Sequence, residues 1–172
     1  DVYISILEAI KYSAYKLGLK PEITYLSSQD FEDGTRLKEL KNYDGILVPG
    51  GFGKTGIEGK LKVIKYVRTH KIPYFGICYG MQLAVLEYAQ NVCKYTNAST
   101  EEIDPKAEHL VIGVMPEQRE LIKQKQMGGT MRLGQYPAVL SAGSLAKRAY
   151  RSGEVLERHR HRYEVNNDYV EA

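Results

Sequence analysis

The stretch "KIPYFGICYGMQLAV", residues 71–85, sets a cysteine between two glycines where the hydrophobic period changes. "PYFGI", opened by Pro73, is a short apolar run rich in aromatic and branched residues and reads as a strand. "MQLAVLEYA" carries Met81, Ala84, Val85 and Tyr88 at helical spacing and reads as a helix with those residues on its apolar face. A strand therefore runs into a helix across "GICYG". This is the sulfur counterpart of the G-x-S-x-G nucleophile elbow, whose flanking glycines permit a sharp turn that exposes the central side chain. The helix that follows aims its free N–H groups and positive dipole end at Cys78, which favours thiolate. A small buried cysteine beside strand-end glycines is the alternative, and both readings stand on this motif alone.

Outward from the elbow, strands and helices alternate. "DVYISILEAIKYSAYKLGLK" is helical in period through Ile4, Leu7, Ile10, Ala14 and Leu17, followed by "EITYL" and a polar stretch to Lys41. In "YDGILVPGGFGKTG" the apolar core Ile46 to Val48 reads as a buried strand breaking at Pro49. "GIEGKLKVIKYVRTH" reads as a helix with Leu61, Ile64 and Val67 on one face. This alternation predicts an α/β fold with a mostly parallel central sheet flanked by helices. Beyond Asn91 the elements shorten: "LVIGVMP", "TMRLGQYPAVL" and "GEVLERHRHRYEV" read as strands and "SLAKRAY" as helical turns. They predict an antiparallel extension in the second half. Functional groups in parallel sheets gather at the carboxyl ends of the strands, where both "PGGFG" and "GICYG" fall.

At 172 residues and 43% hydrophobic composition, one well-packed domain spanning 1–172 is expected. The net charge of +3 is spread along the chain, and the one dense basic run is "RHRHR", residues 158–162. Two cysteines, Cys78 and Cys93, and no apolar leader argue against a disulfide scaffold or a secreted protein. No apolar run reaches the roughly 18 residues that a membrane crossing needs. A reducing, cytoplasmic setting is expected, with neither membrane nor nucleic acid as a partner. The abrupt helical start, without a methionine, reads as an excised piece.

"GGFGKTG" invites two nucleotide readings. Gly51, Gly53 and Gly56 satisfy G-x-G-x-x-G, yet no carboxylate stands roughly twenty residues on in "YVRTHKIPY". The Walker pattern requires glycine five positions before Gly53, where Val48 stands. A purely structural turn is the plain alternative. The functional alternative joins the two loops: backbone N–H groups of Gly51 or Phe52, with that of Tyr79, would supply the two donors that a tetrahedral oxyanion needs. This is an acyl-transfer architecture.

"LVPGGFGKTGIEGK", "GICYGMQLAV", "NASTEE", "MGGTMRLG" and "ERHRHRYEVNN" follow one another in an order that resembles the triad-type glutamine amidotransferases, and among them the glutaminase domain of CTP synthases. The resemblance covers nearly the whole chain, and it implies a flavodoxin-like amidotransferase fold. It further implies that Cys78 attacks the side-chain amide of glutamine, releasing ammonia and then glutamate. The ammonia would aminate UTP to CTP in a separate synthase domain that uses ATP and Mg, with GTP as effector and a homotetramer as the full-length enzyme. No cofactor or metal is expected in this part itself. Glutamine contacts are implied at Gly51, at Tyr79, Gly80, Met81 and Gln82, at Glu101 and at Arg162 beside Tyr163. A zwitterionic substrate needs such a carboxylate for its ammonium and such a guanidinium for its carboxylate. Tyr79 stands where leucine is usual after the cysteine, and its implied role runs through the backbone N–H.

Plainer readings accompany these. Glu101 and Glu102 could form a solvated helix-start pair, and Gln82 could be a surface or capping residue. "RHRHR" at strand period puts Arg158, Arg160 and Arg162 on one face and His159 and His161 on the other, which would also suit an anion-binding edge. Cysteine acyl transfer needs a general base, normally a histidine oriented by a carboxylate. The resemblance places both in an "HPE" segment after "RYEVN". The chain ends at Ala172 before that point, so an incomplete triad is expected, with the C-terminal segment and the N-terminal synthase domain lacking. His70, His109, His159 and His161 are poorly placed as substitutes. A binding module that retains a glutamine pocket, and a nucleic-acid module built on "RHRHR", are the competing classes.

Overall fold

The computed structural model describes residues 3–115, 119 and 132–172. The described chain forms two compact units, Asp1–Ile112 with Val165–Ala172, and Gly113–Glu164. Most of "MGGTMRLG", and the first residues of "TMRLGQYPAVL", lie outside the described residues.

The first unit opens with helix α1 (Ile4–Lys16), where the apolar period predicts it. "EITYL" joins no strand ladder; instead Leu26 packs on a cluster of Phe31, Leu40, Val63 and Val67. Phe31 and Leu40 come from two short 3-10 helices, Ser28–Phe31 and Leu37–Asn42. Strand β1 (Ile46–Val48) pairs in parallel with β2 (Tyr74–Gly76), bringing Val48 opposite Gly76. Helix α2 (Ile57–Thr69) crosses between them and buries Ile57, Val63, Ile64 and Val67. Its close seat on the first 3-10 helix depends on Gly59, where a Cβ would overlap the Ser28 carbonyl oxygen.

Helix α3 (Tyr79–Asn91) follows β2 directly. It buries Tyr79, Gln82, Leu83, Leu86, Glu87 and Ala89. That departs from the apolar face expected of it: Met81 and Tyr88 are exposed, and with Ala84 and Val85 they line an open apolar groove of about 360 Å³. The helix has two apolar stripes, and the buried one carries Leu83 and Leu86.

Strand β3 (Ala98–Thr100) pairs in parallel with β4 (His109–Val114), with a register shift between Ser99 and Thr100. Strand β7 (Tyr163–Val165) lies on the far side of β4. The Met115 N–H bonds Arg162 O and the Asn166 N–H bonds Val111 O, so β4 and β7 run antiparallel and their sheet is mixed. In the second unit, β5 (Arg132–Val139) and β6 (Glu154–His161) form an antiparallel pair whose connection holds the short helix α4 (Leu145–Tyr150). The α/β class with an antiparallel second half is therefore observed. Its parallel pairs are short and belong to two separate sheets.

Candidate active site

Cys78 lies between β2 and α3 at φ 52° and ψ −107°, a left-handed backbone that L-residues rarely adopt. Its side chain is exposed. The buried-cysteine reading thus fails, and the strained elbow is present. Both glycines of "GICYG" are required sterically. A Cβ at Gly76 would come within 2.6 Å of the Gly80 backbone, and one at Gly80 would overlap the Val48 carbonyl oxygen. The Tyr74 hydroxyl donates to Gly80 O at 2.8 Å, fixing the first turn of α3 to its own strand.

The Ile77 N–H continues the β1–β2 pairing by donating to Val48 O at 3.0 Å, so the two loops leave the sheet side by side. A Cβ on Gly50 would sit 3.4 Å from Cys78 Cβ and 3.9 Å from its Sγ. The glycine loop therefore presents bare backbone to the sulfur. Gly53, at φ 80°, is fixed at both of its peptide groups: its N–H donates to Glu102 Oε1 at 2.9 Å, and its carbonyl accepts from the Tyr79 hydroxyl at 2.6 Å. Three segments, "PGGFG", "GICYG" and "STEE", thus converge in the first unit.

The Tyr79 side chain, for which the sequence implied no role, is built into this convergence. It is 2% exposed, and burial, with the Glu102 charge as a second cause, pushes its hydroxyl up to about 12. Lys60 Nζ lies 5.6 Å from the ring centroid, and burial lowers its pKa. Glu102 is the residue that sequence reasoning missed. Its partner is 49 positions away, and no local pattern signals such a contact.

The remaining implied residues are placed as follows. Gly51 and Phe52 are exposed at the loop tip. Gln82 is 6% exposed in the first turn of α3, which argues against a surface residue, while Met81 turns to the apolar groove. Glu101, half-buried, donates its backbone N–H to Ile112 O just past β3. Arg162 and Tyr163 belong to the second unit. Arg162 does not share the face of Arg158 and Arg160: those two are exposed on β6, whereas Arg162 is 8% exposed at the break between β6 and β7. The strand period ends at His161, which is why the alternation misplaces it.

Each histidine has other partners. His70 caps the end of α2, stacks on Tyr66 and bonds its carbonyl. His109 contacts the rings of Tyr95 and Tyr169. His159 and His161 share a 2.9 Å nitrogen–nitrogen hydrogen bond. Among the described residues, no group of three or more His, Cys, Asp or Glu side chains could hold a metal ion. No described helix is long and apolar enough to cross a membrane.

The glutamine amidotransferase class-I family model matches residues 1–172. Similar curated proteins include the CTP synthase of Methanothrix thermoacetophila, 52% identical over 172 residues, which are 100% of this chain and 31% of that one. The CTP synthase of Pyrococcus abyssi is 49% identical over 173 residues, again 100% of this chain and 31% of the relative. The chain spans about a third of the length of these relatives. Among solved structures, the glutaminase domain of Trypanosoma brucei CTPS with bound acivicin superposes with a TM-score of 0.87 and 36% identity, over 99% of this chain and 65% of that one.

Proposed function

The chain belongs to the class-I glutamine amidotransferase family over its whole length, and on that premise we propose that Cys78 is the nucleophile of a glutaminase that supplies ammonia for CTP synthesis. The observation that carries this is the exposed sulfur at a strained φ of 52°, lying against the bare backbone of Gly50. The Cys78 thiolate adds to the side-chain amide carbon of glutamine. The resulting oxyanion is met by the N–H of Tyr79, first in α3 and without an acceptor inside the helix, and by an N–H of Gly51 or Phe52. Collapse breaks the C–N bond, the nitrogen leaving as ammonia with the proton that the Cys78 thiol gave up, and a thioester remains. Water then adds to the thioester, releasing glutamate and restoring the thiol.

Glu101 and Arg162 are assigned to the ammonium and carboxylate of the substrate, and Gly80, Met81, Gln82 and Tyr163 to the walls of its pocket. The resemblance assigns the base to a histidine of an "HPE" segment, a tripeptide that these 172 residues do not contain. For the whole protein, the same reading gives amination of UTP with ATP and Mg in a synthase domain of the same polypeptide. It also gives GTP as effector, a homotetramer and a cytosolic setting. Relatives three times the length of this chain support the synthase domain, and acivicin, a glutamine analogue, in the solved neighbour supports the substrate.

The test is glutamate release by the protein as its gene encodes it. Cys78→Ala is expected to lower kcat by about a thousandfold or more, leaving only what bound substrate and oxyanion donors can do. Tight glutamine binding with no turnover in the unsubstituted protein would instead identify a binding module.

A further inference from the structure

Gly53 belongs to a loop with three glycines in five residues, 49–53, and such a loop has many backbone conformations of similar energy. An N–H donor lowers a transition state only when it already points at the developing charge, because reorganising it consumes the gain. In this loop a single peptide rotation would replace the donor with a carbonyl. The structure opposes that rotation from two directions. Glu102 Oε1 holds the N–H of the 52–53 peptide at 2.9 Å, and the Tyr79 hydroxyl holds the carbonyl of the 53–54 peptide at 2.6 Å. On the other side, the Tyr3 hydroxyl reaches the Gly50 carbonyl at a longer 3.4 Å. The Tyr79 ring also underlies the loop: a Cβ on Gly51 would lie 3.7 Å from its Cδ1. Phe52, between the held peptides, is 88% exposed, so its side chain packs too little to fix the loop.

We propose that Tyr79 and Glu102 are positioning residues that clamp Gly53 and so fix the Gly51–Phe52 peptide as an oxyanion donor. The proposal rests on the glutaminase reading above and extends it to two side chains outside the substrate pocket. Tyr79 contributes its N–H as one donor and, through its hydroxyl, sets the other. Both halves of the oxyanion hole are thereby tied to the residue that follows the nucleophile. The hydroxyl is a donor through the neutral range, and burial extends that range upward by raising its pKa.

The experiment uses the protein as its gene encodes it, with Tyr79→Phe, Glu102→Ala, Glu102→Gln and the double variant Tyr79→Phe/Glu102→Ala. Two rates are read: glutamate release against glutamine concentration, and alkylation of Cys78 by iodoacetamide. Alkylation displaces iodide at a saturated carbon and forms no oxyanion, so it reports the thiol and elbow alone. Tyr79→Phe and Glu102→Ala are each expected to lower kcat roughly tenfold or more with KM changed less than about threefold, and alkylation likewise changed less than about threefold. Glu102→Gln, whose amide oxygen can still accept from Gly53, is expected to keep most of kcat. The double variant is expected to fall little below the worse single one, since both side chains act on one loop. Unchanged kcat in both single variants overturns the proposal. So does a loss of alkylation that matches the loss of kcat, which would show that the elbow itself had moved. If Cys78→Ala releases glutamate as fast as the unsubstituted protein, the glutaminase reading falls first, and this proposal with it.

Discussion

Arg68 and Glu87 join α2 to α3 through a two-pronged ion pair, Nε to Oε2 at 2.7 Å and Nη2 to Oε1 at 2.8 Å. Glu87 is 1% exposed, whereas a third of the Arg68 side chain meets solvent. A carboxylate this deep is tolerated because the guanidinium meets both of its oxygens, and the same hydrogen bonds raise the Arg68 pKa. Removing the arginine strands the buried charge. Arg68→Ala is expected to cost about 3 kcal/mol, the low end for a broken buried pair because Arg68 is partly solvated. Glu87→Gln, which keeps the shape without the charge, should cost less. Urea unfolding of the two variants orders them, and the reverse order would show that the packing of Arg68, not its charge, matters.

Cys78 and Cys93 are both free thiols, but only Cys78 sits on an elbow. A chloroketone analogue of glutamine is expected to label Cys78 and spare Cys93, which follows the end of α3 beside the apolar groove. Peptide mapping after brief treatment decides this, and equal labelling of both cysteines counts against a specific site.

On the proposed function, Arg162, 8% exposed at the break between β6 and β7, meets the carboxylate of glutamine. Arg162→Ala is expected to lower kcat/KM for glutamine by an amount worth about 2 to 5 kcal/mol. Synthesis from added ammonia, which needs no glutamine pocket, should persist. Assays of CTP formation with each nitrogen source separate the two, and equal loss with both would make Arg162 a structural residue.

Burial raises the hydroxyl pKa of Tyr74 above its ordinary value and that of Tyr79 to about 12. Both side chains are neutral in the folded and the unfolded chain below about pH 9, so they produce no pH dependence there. Above pH 10 the unfolded chain loses these protons first, and the folded state loses stability as pH rises toward 12. Urea unfolding at pH 9 and pH 11 is expected to show a larger drop for the unsubstituted chain than for Tyr79→Phe, by about 1 kcal/mol. An equal drop would mean that the Tyr79 hydroxyl titrates normally.

The elbow was legible because its signals are local: a strand period, two glycines around a cysteine, then a helix period. The convergence of "PGGFG" on it followed from where parallel strands end. The packed face of α3 was less legible, since Met81, Ala84, Val85 and Tyr88 form as good a stripe as Leu83 and Leu86. Only the position of α2 and of the Arg68–Glu87 pair decides between them. Arg162 is misplaced on a face because the period assumes one continuous strand across residues 153–165, which the structure breaks. The hydroxyl of Tyr79 and the carboxylate of Glu102 act on a residue 26 and 49 positions away, beyond the reach of any local pattern.

The backbone of Cys78, φ 52° and ψ −107°, is the mirror image of an ordinary extended conformation. A residue of the opposite hand, or one with no hand at all, would occupy it at ease, whereas an L-residue bears roughly 1 to 3 kcal/mol of strain there. Cys78→Gly should therefore unfold at a higher temperature than Cys78→Ala, although neither can carry the chemistry. On the proposed function, the residue that attacks glutamine stands where the chain would fold better without any side chain. Screens that select variants for stability alone would drift toward glycine at this position and lose the reaction, a conflict between folding and turnover seated in a single dihedral angle.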